Sequence, residues 1–369
     1  MEFKIEQNKL NKILAIVSRI ASTSRTIMPI LSNILIRVNK NKATFIATDL
    51  GLAIVDNVGV EVKKEGVVTV PARLMADFVA NLPKNEIVSV KAENNKVMIS
   101  AGKYRSTINS MLADDFPELP DIDEKEAVIY RITADDFKKS VVQVIMAVSN
   151  DSTRPILTGV FFNTYNNSLF IAATDGYRLA DKKLIEDVKS EVKAVVPANA
   201  LQEVLRCLND ASEEIEVLFT DSQVRFRFDE IEITSKIIDG SFPDYRQLIP
   251  KDTEINLSLD RLQLERMTKV AALFARSSGG SIVCEVKADE KKIYISSVAN
   301  ELGENNSDMD ITEETKDGKI VLNSRFLLDA INAIDEEKIR FGFSGKMTPL
   351  LMRAEKNNDY THIIMPLKS

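Results

Sequence analysis

The chain has no tryptophan, one histidine (His362) and two cysteines (Cys207 and Cys284) among 369 residues. One histidine leaves little room for a histidine-based triad and none for a multi-histidine metal site. Two cysteines give neither a disulfide framework nor metal-ligand spacing. There is no P-loop and no glycine-rich dinucleotide fingerprint, so no cofactor is implied. No apolar run approaches the ~18 residues of a membrane span. Met1-Glu2-Phe3-Lys4 lacks the pattern of a signal peptide, which predicts a cytoplasmic protein without a membrane partner. Hydrophobic residues at 44% and charged residues at 28% are ordinary for a globular chain and argue against long disorder. The net charge of −7 rules out a uniformly basic nucleic-acid coat, while a local basic surface stays open.

What the chain does have is repetition, which is sought first because a missed repeat mis-assigns the fold. Ile46-Ala47-Thr48-Asp49 returns as Ala172-Ala173-Thr174-Asp175, 126 residues on. Val70-Pro71-Ala72-Arg73 returns as Val196-Pro197-Ala198-Asn199 at the same spacing, and more faintly as Leu322-Asn323-Ser324-Arg325. Asp115-Phe116-Pro117 is echoed by Ser241-Phe242-Pro243. Three units follow, 1–124, 128–250 and 252–369, joined by polar, acidic segments. A period of that length is a whole domain and not a solenoid repeat.

Each unit reads as α+β, with two helices and many short antiparallel strands. Lys9 to Ala21 carries Leu10, Ile13, Leu14, Val17 and Ile20 at helical spacing. Ala72 to Leu82 follows Pro71, a favourable residue for starting a helix, and presents Leu74, Met75, Phe78, Val79 and Leu82. Their counterparts are Asp135 to Val148, Ala198 to Leu208, Leu259 to Arg276 and Ser324 to Ile334. Hairpins are predicted around Lys40-Asn41, Asn94-Asn95 and Asn166-Asn167. The helical windows together carry +5, of which +3 lies in 8–21 and +2 in 259–276; the remainder of the chain carries −12. An acidic protein has therefore placed its basic surplus on its helices. That surplus is either an ordinary solvated face or a surface for phosphates.

Ala173-Thr174-Asp175-Gly176-Tyr177-Arg178-Leu179-Ala180 is the most specific segment. With Ser235-Lys236-Ile237-Ile238-Asp239-Gly240-Ser241-Phe242-Pro243-Asp244-Tyr245-Arg246, Met28-Pro29-Ile30-Leu31-Ser32-Asn33 and Ile364-Met365-Pro366, it resembles the bacterial sliding clamp, the beta subunit of DNA polymerase III. The resemblance runs from Phe3 to Leu367. It implies a head-to-tail homodimer of three-domain chains, closed as a ring with helices lining the hole. Its function is non-catalytic: it encircles duplex DNA without reading sequence and tethers the replicative polymerase, the clamp loader and other partners through short peptides.

The resemblance also implies site residues. Arg25 and Arg73 stand where the family faces DNA, with Lys12 and Arg206 as further candidates from the helical charge. Asn150 lies in a loop, Ser149-Asn150-Asp151-Ser152, that matches one approaching DNA. Asn199 replaces a basic residue of some relatives. A peptide pocket is implied from Arg154 and Leu157, from Thr174, Gly176, Tyr177, Arg178 and Leu179, and from Pro243 and Leu248. Ile363, Ile364, Met365, Pro366 and Leu367 complete it. Arg154 and Arg178 are expected to reach the ligand's carbonyls or an acidic side chain. The dimer seam is implied at Ile108, Ala272 and Leu273, with Ser106 where some relatives carry an aromatic residue.

Two other readings compete. Thr48-Asp49 repeated at Thr174-Asp175 could pair aspartates for acid–base catalysis, but the aspartic-protease order is Asp-Thr-Gly. A repeat-domain adaptor that binds peptides and not DNA would leave the basic helices unexplained.

Overall fold

The structure is a computed structural model that describes residues 1–22, 28–119, 122–299 and 303–368. Among the described residues it holds six α-helices: α1 (Gln7–Ser22), α2 (Ala72–Ala80), α3 (Ala134–Ile145), α4 (Ala198–Cys207), α5 (Arg261–Phe274) and α6 (Ser324–Asn332). Two fall in each third of the chain, as the periodicity predicts. Several stop short of the predicted end. Leu82 and Ile334 are buried at 5% and 2% exposure, yet their amides bond back three residues, to the carbonyls of Val79 and Ile331. Apolar spacing reports burial, and burial continues into the tightened turn after a helix has ended. The α1 face is as predicted, with Leu10, Leu14 and Val17 at 0% exposure. On α2, Met75 and Val79 are buried at 0% exposure, while Leu74 is 54% exposed.

All three predicted hairpins form. Asn33–Asn39 pairs with Lys42–Thr48, Ile87–Glu93 with Lys96–Ala101, and Gly159–Tyr165 with Ser168–Thr174. Asn94, Asn95, Asn166 and Asn167 have φ between 48° and 57°. Asparagine tolerates that left-handed region, and turns built from it match the right-handed twist of the strands they join.

The chain divides into two compact units, Met1–Ala134 with Asn199–Ile237, and Asp135–Ala198 with Ile238–Ser369. The division cuts through the middle repeat for a reason visible in the sheets. In the first unit an eight-stranded sheet is continuous across a repeat boundary, because Leu52–Gly59 pairs antiparallel with Ile231–Lys236, Ile54 opposite Ile233. In the second unit an eight-stranded sheet forms the same way, Arg178–Ile185 pairing with Tyr360–Ile364, Leu179 opposite Ile363. The middle repeat thus gives half its strands to each unit.

Each unit also has a smaller, open sheet. In the first, five strands run in the order Glu61–Lys64, Glu2–Glu6, Ile87–Glu93, Lys96–Ala101, Tyr104–Asn109. In the second, four run Gly303–Asp310, Lys292–Ala299, Ser281–Lys287, Gly318–Asn323.

Candidate functional site

The first unit brings three of the basic candidates onto neighbouring helices. Helix α1 packs on α2 and is tied to α4 by Arg19, whose Nε donates to Glu203 Oε2 at 2.8 Å. Lys12 is exposed on α1. Arg73, at the start of α2, has an 88% exposed side chain and lies 3.8 Å from Asp77. So exposed a pair leaves the guanidinium essentially available. Arg206 on α4 is ion-paired with Glu203, the carboxylate that also holds Arg19, so its charge is partly neutralised. Arg25 lies outside the described residues. Asn150, in the second unit, is exposed. Its neighbour Asp151 is held below the usual carboxylate range by hydrogen bonds from Thr153, which keeps a negative charge beside Asn150.

Behind Lys12 lies Asp56, 5% exposed on the strand Leu52–Gly59. Burial pushes its carboxyl up to about 6, although Lys12 and the Asn57 backbone pull it down; Glu230 adds to the rise. The unfolded carboxyl titrates near 3.9. Between those values folding takes up a proton, so this group favours the fold at low pH and costs stability as pH rises towards 6. Asp56→Asn is expected to stabilise the protein at pH 7.5 by on the order of 1–2 kcal/mol and to gain nothing at pH 4. Thermal unfolding at both pH values checks this; an equal gain at the two would refute it.

The pocket candidates converge within the second unit. The turn Thr174–Arg178 is fixed by its own side chains. Asp175 Oδ1 accepts from the amides of Tyr177 (2.9 Å) and Arg178 (3.0 Å). Thr174 Oγ1 donates to the Arg178 carbonyl at 2.6 Å and accepts from the Gly176 amide at 3.1 Å. Gly176 has φ +90°, which the turn requires and glycine adopts without strain; the Arg154 guanidinium lies near it, 3.6 Å from where a Cβ would stand. The last strand runs beside this turn, and Met365 N donates to the Tyr177 carbonyl at 2.8 Å.

Beneath the turn, Leu179, Ile363, Ala172, Tyr245 and Leu351 form a buried apolar floor backed by Phe161, Phe242 and Ile249. Above it stand Tyr177 (63% exposed), Leu248 (62%) and Met365 (41%). Pro243 is exposed, and Pro366 and Leu367 are half-buried. Leu157 and Ile364 lie inside, at 6% and 0% exposure. The arrangement is a solid apolar base under a rim of large exposed side chains, one of them a methionine, a residue type that adapts to varied partners.

Two findings alter the expected roles. Arg178 is 7% exposed and does not face solvent as a ligand-seeking side chain would. Its Nε donates to Asp175 at 3.1 Å, its terminal nitrogens to Asp329 and the Met146 carbonyl, and its guanidinium lies 4.5 Å over the Phe326 ring. It positions the turn instead. Tyr245 was missed by the sequence reading. Its hydroxyl donates to buried Asp181 at 2.6 Å, which seats the segment carrying Leu248. Its place in the Asp-Tyr-Arg segment of the quoted motif was the available signal.

The seam candidates separate by exposure. Ile108 lies on the edge strand Tyr104–Asn109 but is 3% exposed, so the strand offers its backbone there and not this side chain. Leu273 on α5 is 53% exposed; Val270 (41%) one turn earlier and Tyr104 (51%) on the edge strand are exposed too. Ala272 is half-buried.

Both cysteines and the single histidine are buried. Burial pushes the thiols of Cys207 up to about 11 and Cys284 up to about 12, and takes His362 down to about 3. His362 sits in the core with Nδ1 2.7 Å from the Tyr360 hydroxyl. Asp49 and Asp175 each bond the amides of their own turn.

Comparison with known proteins agrees with this architecture. Family models of the DNA polymerase III beta subunit match in order: the N-terminal domain at residues 1–120, the central domain at 131–244 and the C-terminal domain at 246–368. A beta sliding clamp of Staphylococcus epidermidis is 28% identical over 383 aligned positions, covering all of both chains. The DNA polymerase sliding clamp of Bacillus subtilis is 28% identical with a TM-score of 0.95, covering all of this chain and 99% of that one. A C. crescentus beta sliding clamp, with polyethylene glycol at a site described as a beta-motif tethering region, is 27% identical with a TM-score of 0.93, over all of this chain and 99% of that one. The chain belongs to the family of bacterial beta sliding clamps, the non-catalytic processivity subunits of DNA polymerase III.

Proposed function

We propose that two copies of this chain close head to tail into a ring around duplex DNA, and that the cleft under Tyr177, Leu248 and Met365 tethers partner proteins by short peptides. The observation that carries the ring is which strand edges are left over. At each internal repeat boundary, the strand that follows a Thr-Asp turn (Leu52–Gly59, then Arg178–Ile185) pairs with a late strand of the next repeat (Ile231–Lys236, then Tyr360–Ile364). At the corresponding positions, about 126 residues away, the third repeat has the strand Gly303–Asp310 and the first repeat has the strand Tyr104–Asn109. Both are sheet edges. An unpaired edge is a template for another chain. Pairing Gly303–Asp310 of one copy with Tyr104–Asn109 of the next repeats the internal joint, and a heterologous contact whose rotation closes makes a ring and not a filament.

Lys12, Arg73 and, through its remaining charge, Arg206 would meet phosphates without reading bases, which gives a sequence-independent, salt-sensitive hold compatible with sliding. Linkage then keeps a bound polymerase at high effective concentration near its template. The cleft's apolar floor and exposed rim suit peptides from the replicative polymerase and the clamp loader. The C. crescentus relative, with a ligand at its tethering region, supports a ligand-binding role. No helix among the described residues is long and apolar enough to cross a membrane, and we place the protein in the cytoplasm with the chromosome.

The test is retention. Labelled protein is loaded by a clamp loader with ATP onto a nicked circular plasmid, which is then linearised. Topological linkage is expected to show as stable retention on the circle and loss within minutes from free ends. Equal retention on both forms would sink the sliding mechanism.

A further inference from the structure

The first unit contains a second cleft, built like the proposed peptide cleft but with different chemistry on one wall. The turn Thr48–Leu52 repeats the four Thr and Asp side-chain hydrogen bonds of the turn Thr174–Arg178. Asp49 Oδ1 accepts from the amides of Gly51 (2.9 Å) and Leu52 (2.7 Å). Thr48 Oγ1 donates to the Leu52 carbonyl at 2.9 Å and accepts from the Leu50 amide at 3.1 Å. Lys236 N donates to the Gly51 carbonyl at 2.9 Å, where Met365 N donates to Tyr177 in the other. The floors correspond too. Leu35, Ile46, Phe116 and Leu119 here stand for Phe161, Ala172, Phe242 and Tyr245 there, all at the 126-residue spacing.

Three features distinguish this cleft, which has a volume of about 360 Å³. Leu50 occupies the place of Gly176 with φ +75°, a conformation a leucine rarely adopts, and it is 46% exposed beside the cleft. A strained residue that also exposes a large apolar side chain is unfavourable on both counts, and such strain concentrates at ligand clamps. Gln223 lines the cleft, and its side-chain amide oxygen is shut off from water and without a hydrogen-bond partner; a buried acceptor left so calls for a donor. Finally, the wall formed by Ile363 opposite Leu179 in the second unit is formed here by Thr234 opposite Ala53, with exposed Lys236 following.

We propose that this cleft is a second peptide-binding site, which takes an extended segment of a partner protein bearing an aliphatic side chain and, two residues on, a carboxylate. The aliphatic group lies against Leu50, Leu52 and Pro117, the Gln223 side chain turns its amide oxygen outward to accept a backbone N–H, and the carboxylate meets the Lys236 ammonium. Glu118 also lines the cleft, so the occupant carries one local carboxylate and not a run of acids. The inference draws on the peptide reading of the other cleft for the kind of occupant; the turn, the cleft and the unpaired acceptor stand without it.

The experiment follows leucine and methionine methyl groups of the full-length protein by NMR during titration with acetyl-Leu-Ala-Asp-amide, and separately with acetyl-Leu-Ala-Lys-amide. The Leu50 and Leu52 methyls are expected to shift saturably, with the aspartyl peptide binding roughly three- to fivefold more tightly. Leu50→Gly, which the Gly176 turn shows the backbone accepts, is expected to weaken binding at least about threefold. Methyls that stay put at Leu50 and Leu52, equal affinity for the two peptides, or unchanged binding by Leu50→Gly would each overturn the proposal. The Met365 methyl reports the other cleft: a response there alone overturns this site and leaves the first reading standing, whereas a response at Leu50 alone supports this site and counts against the first.

Discussion

Replacing Arg178 by methionine is expected to lower the opening free energy of the Thr174–Arg178 turn by about 3–5 kcal/mol. The guanidinium is 6% exposed and is shared by Asp175 and Asp329, which are themselves 15% and 29% exposed. Methionine fills much of the volume and supplies no charge, so Asp175 keeps only its backbone amide donors, and Asp329 and the Met146 carbonyl lose the guanidinium with it. Breaking a buried pair from one side costs more than the pair was worth, because the remaining charge is stranded. Lysine should rescue only in part, since one ammonium cannot match a fork that reaches three acceptors. The chain has two compact units, so a single global unfolding free energy would mix them. Hydrogen exchange at the Tyr177 and Arg178 amides reads the local effect, and a loss of protection worth under 1 kcal/mol would refute the assignment of Arg178 as the residue that holds the turn. The same variant separates the two roles considered for this arginine. A side chain that only contacted ligand would weaken peptide binding and leave exchange unchanged.

The second large effect is expected at the seam. Leu273→Asp should leave the isolated chain folded, since the side chain is 53% exposed, and should dissociate the dimer. Burying one leucine contributes about 1.5–3 kcal/mol, and a head-to-tail dimer has two identical seams. The dissociation constant should therefore rise by roughly 10²- to 10⁴-fold before the cost of burying a carboxylate is added. Sedimentation velocity across a dilution series reads this directly, and retention on circular DNA should fail in parallel. Leu74→Asp, on an equally exposed leucine of α2 (54%), is the control expected to leave the dimer intact. A Leu273 variant that stays dimeric over the same range would show that α5 does not take part in the seam.

The amino-acid sequence alone determined the three-fold repeat, two helices per repeat, the hairpins at Asn94-Asn95 and Asn166-Asn167, and the α1 face. Apolar periodicity and the preference of asparagine for left-handed turns act within a few residues, and the repeat is read by comparing the chain with itself; none of these needs to know what packs against what. The segment from Ala173 to Ala180 was legible for the same reason, since one turn carries most of its information.

Tertiary structure decided which side of each repeat joins its neighbour, and so where the compact units divide. Strand pairing between Leu52–Gly59 and Ile231–Lys236 spans a sequence distance that no local pattern encodes. It also decided that Arg178 turns inward. Its fate rests on Asp329, 151 residues away, and a charge is read as exposed until its distant partner is known. Likewise Leu74 and Leu82 look alike on a helical wheel, yet one is 54% and the other 5% exposed. What covers an apolar face is supplied by the rest of the fold and not by the face itself.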